Sequence, residues 1–358
     1  MAQLDGLIKE LCPNGVEYKK LSDVLTIRNG KDYKGFAEGS IPVYGSGGIM
    51  TYIDHFAYDK PSVLIPRKGS LDKLYYVDVP FWTVDTIFYT VIDTKIVEPK
   101  YIFYVLQKEH LEKLNKAGGV PSLTQAVISK VKIPVPPLPV QREIVRILDN
   151  FTELTTELTT ELTAELTARK QQYAYYRDKL LAFGDDVPKD TLENLCDFQY
   201  GKGNSIPTAP GEYPVYGCNG VVGTTNVFNS IDAPVIGHIG SAGIVNWGKG
   251  KHFVTYNGTI CKVRPEKMIS RYAYHLLCSL HLERFVKGSQ PFLSYSDFAK
   301  ETVSVPPLNI QQRVVSILDR FDTLCNDLTK GLPAEIEARQ KQYEYYRDKL
   351  LTFKELGA

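Results

Sequence analysis

Two short clusters of glycine with polar or basic side chains carry what chemistry this chain can do, and each cluster occurs twice. In the first half they are Tyr44, Gly45, Ser46, Gly47 and Gly48, then Arg67, Lys68, Gly69 and Ser70; in the second half, Tyr216, Gly217, Asn219 and Gly220, then His238, Gly240, Ser241 and Gly243. Glycine lets a backbone come close to a phosphate. Arg, Lys, Asn, His and Ser fix phosphates or hydrogen-bond to base edges. The same glycines also suit tight turns, and Tyr44 and Tyr216 suit half-buried strand positions. The chemistry on offer is binding, because the parts for catalysis are missing. Residues 243–249 superficially match a phosphate loop, but Gly250 stands where a Ser or Thr would hold magnesium. There is no Asn/Asp-Pro-Pro-Tyr/Phe run, no glycine-rich cofactor fingerprint between strand and helix, and no zinc or metallohydrolase spacing, and the six histidines are too scattered for a triad. The chain alone is expected to be catalytically inert, without metal or cofactor.

The elements that must position these clusters are themselves duplicated. Residues 135–183 recur 170 positions later as 305–353, with 28 of 49 positions identical and no gap. That period is far longer than the roughly 20 to 50 residues of a solenoid unit, so it marks two domain-sized modules in tandem. Each copy starts at a Pro-Pro-Leu and ends in Tyr-Tyr-Arg-Asp-Lys-Leu-Leu. Between these, Ile144, Ile147, Phe151, Leu154 and Leu158 step by 3, 4, 3 and 4, as do Val314, Ile317, Phe321, Leu324 and Leu328. Such spacing is the apolar seam of a coiled coil. Both copies then take two steps of four, through Leu162 to Leu166 and through Leu332 to Ile336, a stutter that locally unwinds a supercoil. Two long helices packed antiparallel on one another are expected, the alternative being that each packs on its own globular segment. Tyr173, Tyr176 and Leu180, with Tyr343, Tyr346 and Leu350, continue the seam. Gly331 and Pro333 predict a kink or a fresh helix start in the second copy.

The first helix also contains four tetrads in residues 152–167, of the form Thr-Glu-Leu-Thr in three and Ala-Glu-Leu-Thr in the last. Each adds about 6 Å of helix, somewhat less than two base pairs of B-DNA. Their Glu153, Glu157, Glu161 and Glu165 form a same-sign ladder that would repel phosphate, or that is simply solvated. Before each helix lies a segment rich in Gly, Pro, Tyr and β-branched residues, which reads as short strands and loops with a helix over 101–114 or 270–287. The two segments share turns, including Pro121-Ser122-Leu123-Thr124 and Pro291-Phe292-Leu293-Ser294, while the intervening sequence has diverged. One scaffold with two loop surfaces is implied.

The charge is balanced locally as well as globally. Residues 1–138 hold 17 Lys/Arg against 15 Asp/Glu, and residues 184–308 hold 11 against 11. The strongly basic surface of a self-sufficient nucleic-acid binder is therefore absent. The six cysteines lack metal spacing and read as reduced thiols. With no secretory leader and no apolar run near 18 residues, a soluble cytoplasmic protein is expected, neither exported nor membrane-bound.

Two variable segments, each followed by a long helix, the tetrads in the first helix, and the Gln-Tyr-x-Tyr-Tyr-Arg-Asp-Lys-Leu-Leu ending of both closely resemble the specificity subunit of type I restriction-modification enzymes. The resemblance spans essentially the whole chain, and the tetrads within a duplicated architecture are its most specific part. It implies an α/β (α+β) fold: two tandem target recognition domains, separated and joined by two long antiparallel coiled-coil helices, in a pseudo-two-fold repeat. Residues 1–135 and 184–305 would be the recognition domains, each reading half of a bipartite asymmetric sequence in double-stranded DNA. Residues 136–183 and 306–358 would be the helices that fix the unread spacer. The resemblance further implies two modification subunits, which bind S-adenosylmethionine and methylate adenine at N6, and restriction subunits with an ATP-driven motor and nuclease. The paired clusters above become the candidate DNA contacts, with the Pro-Phe-Leu-Ser loop a weaker one. Arg177, Asp178, Lys179, Arg347, Asp348 and Lys349 become exposed candidates for docking a modification subunit, or are solvated helix ends. Gly331-Leu332-Pro333 departs from the tetrads, so spacing by tetrad count concerns the first helix only. A non-DNA adaptor, with two ligand-binding modules on a coiled-coil spine, is the competing reading.

Overall fold

Both copies of the repeated segment fold as helices rooted in the segment that precedes them. A computed structural model describes residues 2–115, 120–203, 210–326 and 331–357. It separates into two units, one of Met1–Thr160 with Glu337–Ala358, the other of Glu161–Ile336. Among the described residues no helix is long and apolar enough to cross a membrane.

The first unit runs α1 (Ala2–Leu11), β1 (Tyr18–Lys20), β2 (Leu25–Asn29), β3 (Glu38–Gly45), β4 (Gly48–Ile53), β5 (Ser62–Pro66), β6 (Tyr75–Val77), β7 (Trp82–Thr83), β8 (Ile87–Ile92), α2 (Pro99–Lys108), α3 (Gln125–Ile128), β9 (Lys132–Pro134) and the start of α4 (Leu138–Leu181). Strands β2-β8-β5-β6 form one antiparallel sheet, β4-β3-β7 a second with β3 and β7 parallel, and β1-β9 a short ribbon. Every residue of β5 is buried, as in a strand covered on both faces. The core joins Val63, Ile65 and Phe88 of this sheet to Tyr101, Ile102 and Val105 of α2 and to Ile144 and Leu148 of α4.

The second unit holds the end of α4, then β10 (Lys189–Thr191), α5 (Leu192–Leu195), β11 (Cys196–Tyr200), β12 (Tyr213–Gly217), β13 (Gly220–Thr225), β14 (Ser230–Gly237), β15 (Val245–Val254), β16 (Gly258–Val263), α6 (Ser270–Ser279), β17 (Thr302–Ser304) and α7 (Leu308–Asn326). It repeats the first unit's plan with one difference. Here a single sheet is ordered β11-β16-β14-β15-β12-β13, because the long β15 pairs antiparallel with β14 and then parallel with β12. In the first unit that role is split between β6 and β7, with Pro80 between them. Proline lacks the N–H that a continuous ladder needs.

The expected helices over 101–114 and 270–287 end early, at Lys108 and Ser279. His110 and His281 each take a left-handed conformation (φ 50°), which interrupts the helical ladder, and a 3₁₀ turn follows.

The long helices are fixed at their starts by equivalent glutamines. Gln141 accepts from Glu98 N (2.8 Å) and donates to the carbonyls of Ile96 (3.0 Å) and Pro136 (2.7 Å). Gln311 accepts from Ile269 N (2.8 Å) and donates to Lys267 O and Pro306 O (both 2.9 Å). Glu98 and Ile269 are the N-cap residues of α2 and α6, so each glutamine satisfies a helix-end donor that would otherwise be orphaned. Further along α4, Asp149 accepts from Lys100 (2.8 Å) and Tyr104 (2.6 Å). The equivalent Asp319 accepts from Arg271 (2.7 Å) and His275 (2.8 Å), and Arg271 also meets Asp322.

Own-segment packing and helix pairing therefore both occur, on successive stretches. Ile144, Ile147 and Leu148 lie in the first unit's core. Beyond them, α4 runs antiparallel to α8 (Leu332–Leu350): Phe151 faces Tyr346 with ring centroids 6.0 Å apart, Thr152 Oγ1 is 3.0 Å from Tyr343 Oη, and Leu158 and Arg339 line the same cleft. In the second unit Tyr176 stacks on Phe321 at 5.7 Å, and Tyr173 joins Val314, Leu318 and Cys325 in the core. The continuous seam is not realised. Leu154 is 61% exposed, and Ile317 and Leu324 are exposed too, while Val315, Leu318 and Cys325 are buried. The packed face of α7 includes Val315, Leu318 and Cys325 beside the seam's Val314 and Phe321, and α6 meets this helix through Arg271 and His275 on Asp319 and Asp322. Leu328 lies outside the described residues. At the other interruption α8 begins afresh at Leu332: Gly331 O accepts from Ala334 N (3.1 Å) and Glu335 N (3.3 Å), and Pro333 sits in the first turn, where its missing N–H is no loss. The chain's end then completes the first unit, with Leu350 and Leu351 in its core and Tyr18 Oη donating to Phe353 O at 3.0 Å.

The α6–α7 contact makes stability depend on pH. A carboxylate only accepts, so His275 Nε2–H donates to Asp319 while Nδ1 accepts from Tyr173 Oη (2.8 Å). Burial holds the His275 pKa below its ordinary value, with the Asp319 bond opposing and Arg271 assisting; burial likewise lowers that of His252. Both histidines bind protons more readily in the unfolded chain, so their contribution is full above the unfolded value of about 6.5 and shrinks as pH falls through it. Calorimetry from pH 7.5 to 5.5 should show a falling unfolding temperature, and the pair His252→Asn with His275→Gln should flatten the curve. A wild-type unfolding temperature that rises over that range would contradict the assignment.

Candidate nucleic-acid interface

In the first unit, β3 and β4 meet in a hairpin with Gly45 opposite Gly48 and Ser46-Gly47 at its tip. Gly48 has φ 117°, open to glycine and strained for other residues. The tip is tied at both ends of Ser46: its N–H donates to Thr86 Oγ1 (3.3 Å), and its carbonyl accepts from Tyr75 Oη (3.2 Å). The loop after β5 is held by the same Thr86, whose carbonyl accepts from Arg67 N (2.8 Å) and Lys68 N (3.3 Å). A third segment closes the group, with Gly69 N donating to Pro121 O (3.2 Å) and Leu123 N to Arg67 O (2.9 Å). A Cβ on Gly69, itself at φ 81°, would lie 3.3 Å from Ser46 Oγ, so the two sequence clusters touch. Lys68, Gly47 and Gly69 are exposed, Arg67, Ser46, Gly48 and Ser70 are half-buried, and Gly45 is buried. The Arg67 guanidinium lies 5.8 Å over the Phe88 ring. Tyr44 is half-buried between Tyr75 and Phe81, and that burial raises its phenol pKa.

The second unit builds the same arrangement. Gly217 lies opposite Gly220 (φ 97°), with Cys218 and Asn219 at the tip. His238 N donates to Asn257 O (2.8 Å), Gly240 N to Pro291 O (3.0 Å) and Leu293 N to His238 O (3.0 Å). A Cβ on Gly240 (φ 86°) would be 3.5 Å from Cys218 Sγ. Asn219 and Gly240 are exposed, and Gly220 and Ser241 half-buried.

Several candidates are interior. His238 is 1% exposed; its Nδ1–H donates to Leu293 O (2.6 Å), and its ring is packed by Tyr200 and Phe292, so it positions the loop from below. Tyr216 is buried with its hydroxyl on Trp247 O (3.1 Å). Gly217 and Gly243 are buried, and a Cβ on Gly243 would lie 2.8 Å from Glu283 N. Residues 245–249 of the apparent phosphate loop lie in β15 rather than in a loop. Thr86 was not visible as a site residue, since only the fold brings it under both clusters. The 121–123 and 291–293 segments lie beside the loops in both units, closer than their modest sequence signal implied.

The helix-end candidates need a correction. Arg177 and Arg347 are not exposed but 8% and 7% accessible. Each folds back so that Nε donates to the next residue, Asp178 or Asp348, at 2.8 Å. Arg177 also lies over the Tyr173 ring, and Arg347 packs beside Leu71, Leu74, Leu106 and Leu111. Their long apolar stems cover core surface. Asp178, Lys179 and Lys349 are exposed and Asp348 is half-exposed.

Three comparisons bear on what this architecture is. The family model for the type I restriction modification DNA specificity domain matches twice, over residues 13–168 and 186–338. A putative type I restriction enzyme specificity subunit of Haemophilus influenzae is 31% identical, the alignment covering 94% of this chain and 96% of that one. The EcoR124I/EcoR124II specificity subunit of Escherichia coli is 36% identical, covering 71% and 70%. Among solved structures, the S subunit of a type I restriction-modification system from M. genitalium has a TM-score of 0.53 at 18% identity, covering 94% of this chain and 96% of its own. A chain solved in work on assembly and conformational transition of the type I system has a TM-score of 0.64 at 14% identity, covering 95% and 98%; both likenesses concern the fold. With the DNA specificity domain matched twice and the Haemophilus influenzae relative aligned along nearly the full length of both chains, the chain belongs to the family of type I restriction-modification specificity subunits.

Proposed function

We propose that this chain is the non-catalytic DNA reader of a type I restriction-modification complex. Residues 1–135 and 184–305 each read one half of a bipartite asymmetric sequence in double-stranded DNA, and the helices of residues 136–183 and 306–358 set the unread spacer. Two modification subunits, carrying S-adenosylmethionine, methylate adenine at N6 where this chain directs them, and restriction subunits cut. They dock on the helices, with Asp178, Lys179, Asp348 and Lys349 presented to them and Arg177 and Arg347 fixing the adjacent carboxylates from within. The complex works in the cytoplasm, away from membranes.

One observation carries the reading: a glycine-tipped hairpin, a second loop and a third bracing segment converge in the same way in both units, although the sequences between them have diverged. A scaffold kept constant beneath altered loops suits two readers of different sequences. The near-neutral charge favours the adaptor reading to a degree, but it equally suits a subunit whose partners help to clamp the DNA.

The test is made on the chain assembled with its modification subunits. Arg67→Ala should weaken binding by about 1–3 kcal/mol and relax preference at one base pair, whereas Lys68→Ala should weaken all sequences alike and lower the salt slope by about one. Unchanged affinity and slope in both variants, or no defined site when the modification subunits are added, would favour the adaptor.

A further inference from the structure

The two candidate reading surfaces share a plan but not a chemistry. The first presents Arg67 and Lys68 beside its hairpin tip. In the second, residues 216–220, 238–243 and 291–294 include neither Lys nor Arg. Lys287 pairs with Phe292 through backbone hydrogen bonds (2.9 and 3.1 Å), but its ammonium is held by Asp297 at 2.6 Å.

What this surface offers instead is an exposed ring. Phe292 is 39% exposed. It bridges Ile239 of the reading loop just as Ser122 bridges Lys68 in the first unit, so an aromatic ring stands where the other unit has a hydroxyl. The ring cannot easily fold away. Its backbone is paired on both sides, to Ile239 and Lys287. The ring leans, tilted, on His238 with centroids 4.7 Å apart, and His238 is in turn packed by Tyr200 at 4.3 Å and Tyr256 at 5.5 Å. A lone exposed phenylalanine is ordinary on a protein surface. One held rigid beside a glycine loop, with Gly240 N bonded to the neighbouring Pro291 O, is prepared for contact, because little side-chain freedom is lost when it meets a partner.

We infer that Phe292 is a specificity-determining residue that meets the C5-methyl group of a thymine in the second half-sequence. This rests on the DNA reading proposed above and adds that the second unit reads by apolar contact where the first uses cations. The thymine methyl is the apolar mark that an A·T pair shows in the major groove, and a phenyl ring is one of its natural partners. An uncharged ring displaces no counterions, so its contribution is insensitive to salt.

The experiment uses the chain with its modification subunits and duplexes bearing the motif they modify. Each thymine of the second half-sequence, on either strand, is replaced in turn by uracil, which deletes one methyl group and leaves pairing intact. Wild type should lose about fourfold in affinity at one position, the value of one buried methyl group. Phe292→Ala should bind the thymine duplex more weakly and no longer distinguish uracil there, Phe292→Leu should retain part of the discrimination, and the salt slope of both should match wild type. Matching thermal unfolding of the two variants shows that the fold is kept. The inference is overturned if no uracil position separates wild type from Phe292→Ala, or if the second half-sequence contains no thymine. If Lys68→Ala still lowers the salt slope in that case, the DNA reading stands and only the role of Phe292 falls; if Lys68→Ala changes nothing either, the reading itself falls.

Discussion

Deleting one tetrad, residues 156–159, should abolish modification at the native motif and create a new one with the same half-sequences and a spacer one or two base pairs shorter. Four residues remove about 6 Å of helix and rotate the remainder of the helix by about 40°, while two base pairs of B-DNA measure slightly more than that length. The repeat makes the deletion tolerable. Leu158 lies in the cleft with Arg339, Tyr343 and Tyr346 of α8, and after deletion Leu162, in an identical Thr-Glu-Leu-Thr context, takes its place. The seam is refilled like for like, so length changes without a cavity. Sequencing the modified bases of a strain carrying the deletion checks this. A motif with altered half-site bases, or one with the original spacer, would count against the helix as a ruler.

Exchanging residues 1–135 for those of another specificity subunit should replace one half-sequence completely and leave the other untouched. The junction at residue 135 precedes α4 and its anchors. Gln141 bonds only to backbone atoms of the exchanged segment, at Ile96 and Glu98, and so accepts any replacement that keeps the backbone there. Asp149 is more demanding, because it is met by the side chains of Lys100 and Tyr104, and a replacement lacking both would weaken the root of α4. Modified-base mapping again gives the answer, and a change in both half-sequences would refute two independent readers.

The duplication was legible because it is written in chain order: a register of 170 residues, a shared Pro-Pro-Leu start, and a shared Tyr-Tyr-Arg-Asp-Lys ending. The paired turns were legible too, since a glycine at φ near 100° leaves a mark that survives divergence. What could not be read depended on neighbours distant in sequence. Thr86 is an unremarked residue until the fold sets its hydroxyl under Ser46 and its carbonyl under Arg67. Arg177 and Arg347 look exposed in a charged helix end, yet Arg177 folds over the Tyr173 ring of its own helix and Arg347 covers an apolar cleft of Leu71, Leu74, Leu106 and Leu111, distant in sequence. The seam of α7 follows heptad spacing in sequence, but Arg271 and His275 on α6 draw Asp319 and Asp322 toward them and Ile317 is turned out to solvent. Pro80 alone would have justified dividing β6 from β7, although nothing local in β15 announces that it serves both sheets' roles. Periodicity thus identified the helices but placed Ile317 and Leu324 on a buried face that Val315, Leu318 and Cys325 share instead.

The most direct measurement of the central claim is the complete map of modified adenines in a genome that carries this chain with its modification subunits. Two readers at a set separation predict a single motif of two unlike half-sequences, divided by an unread gap of one fixed length. A contiguous motif, or half-sequences modified across gaps of many lengths, would contradict it.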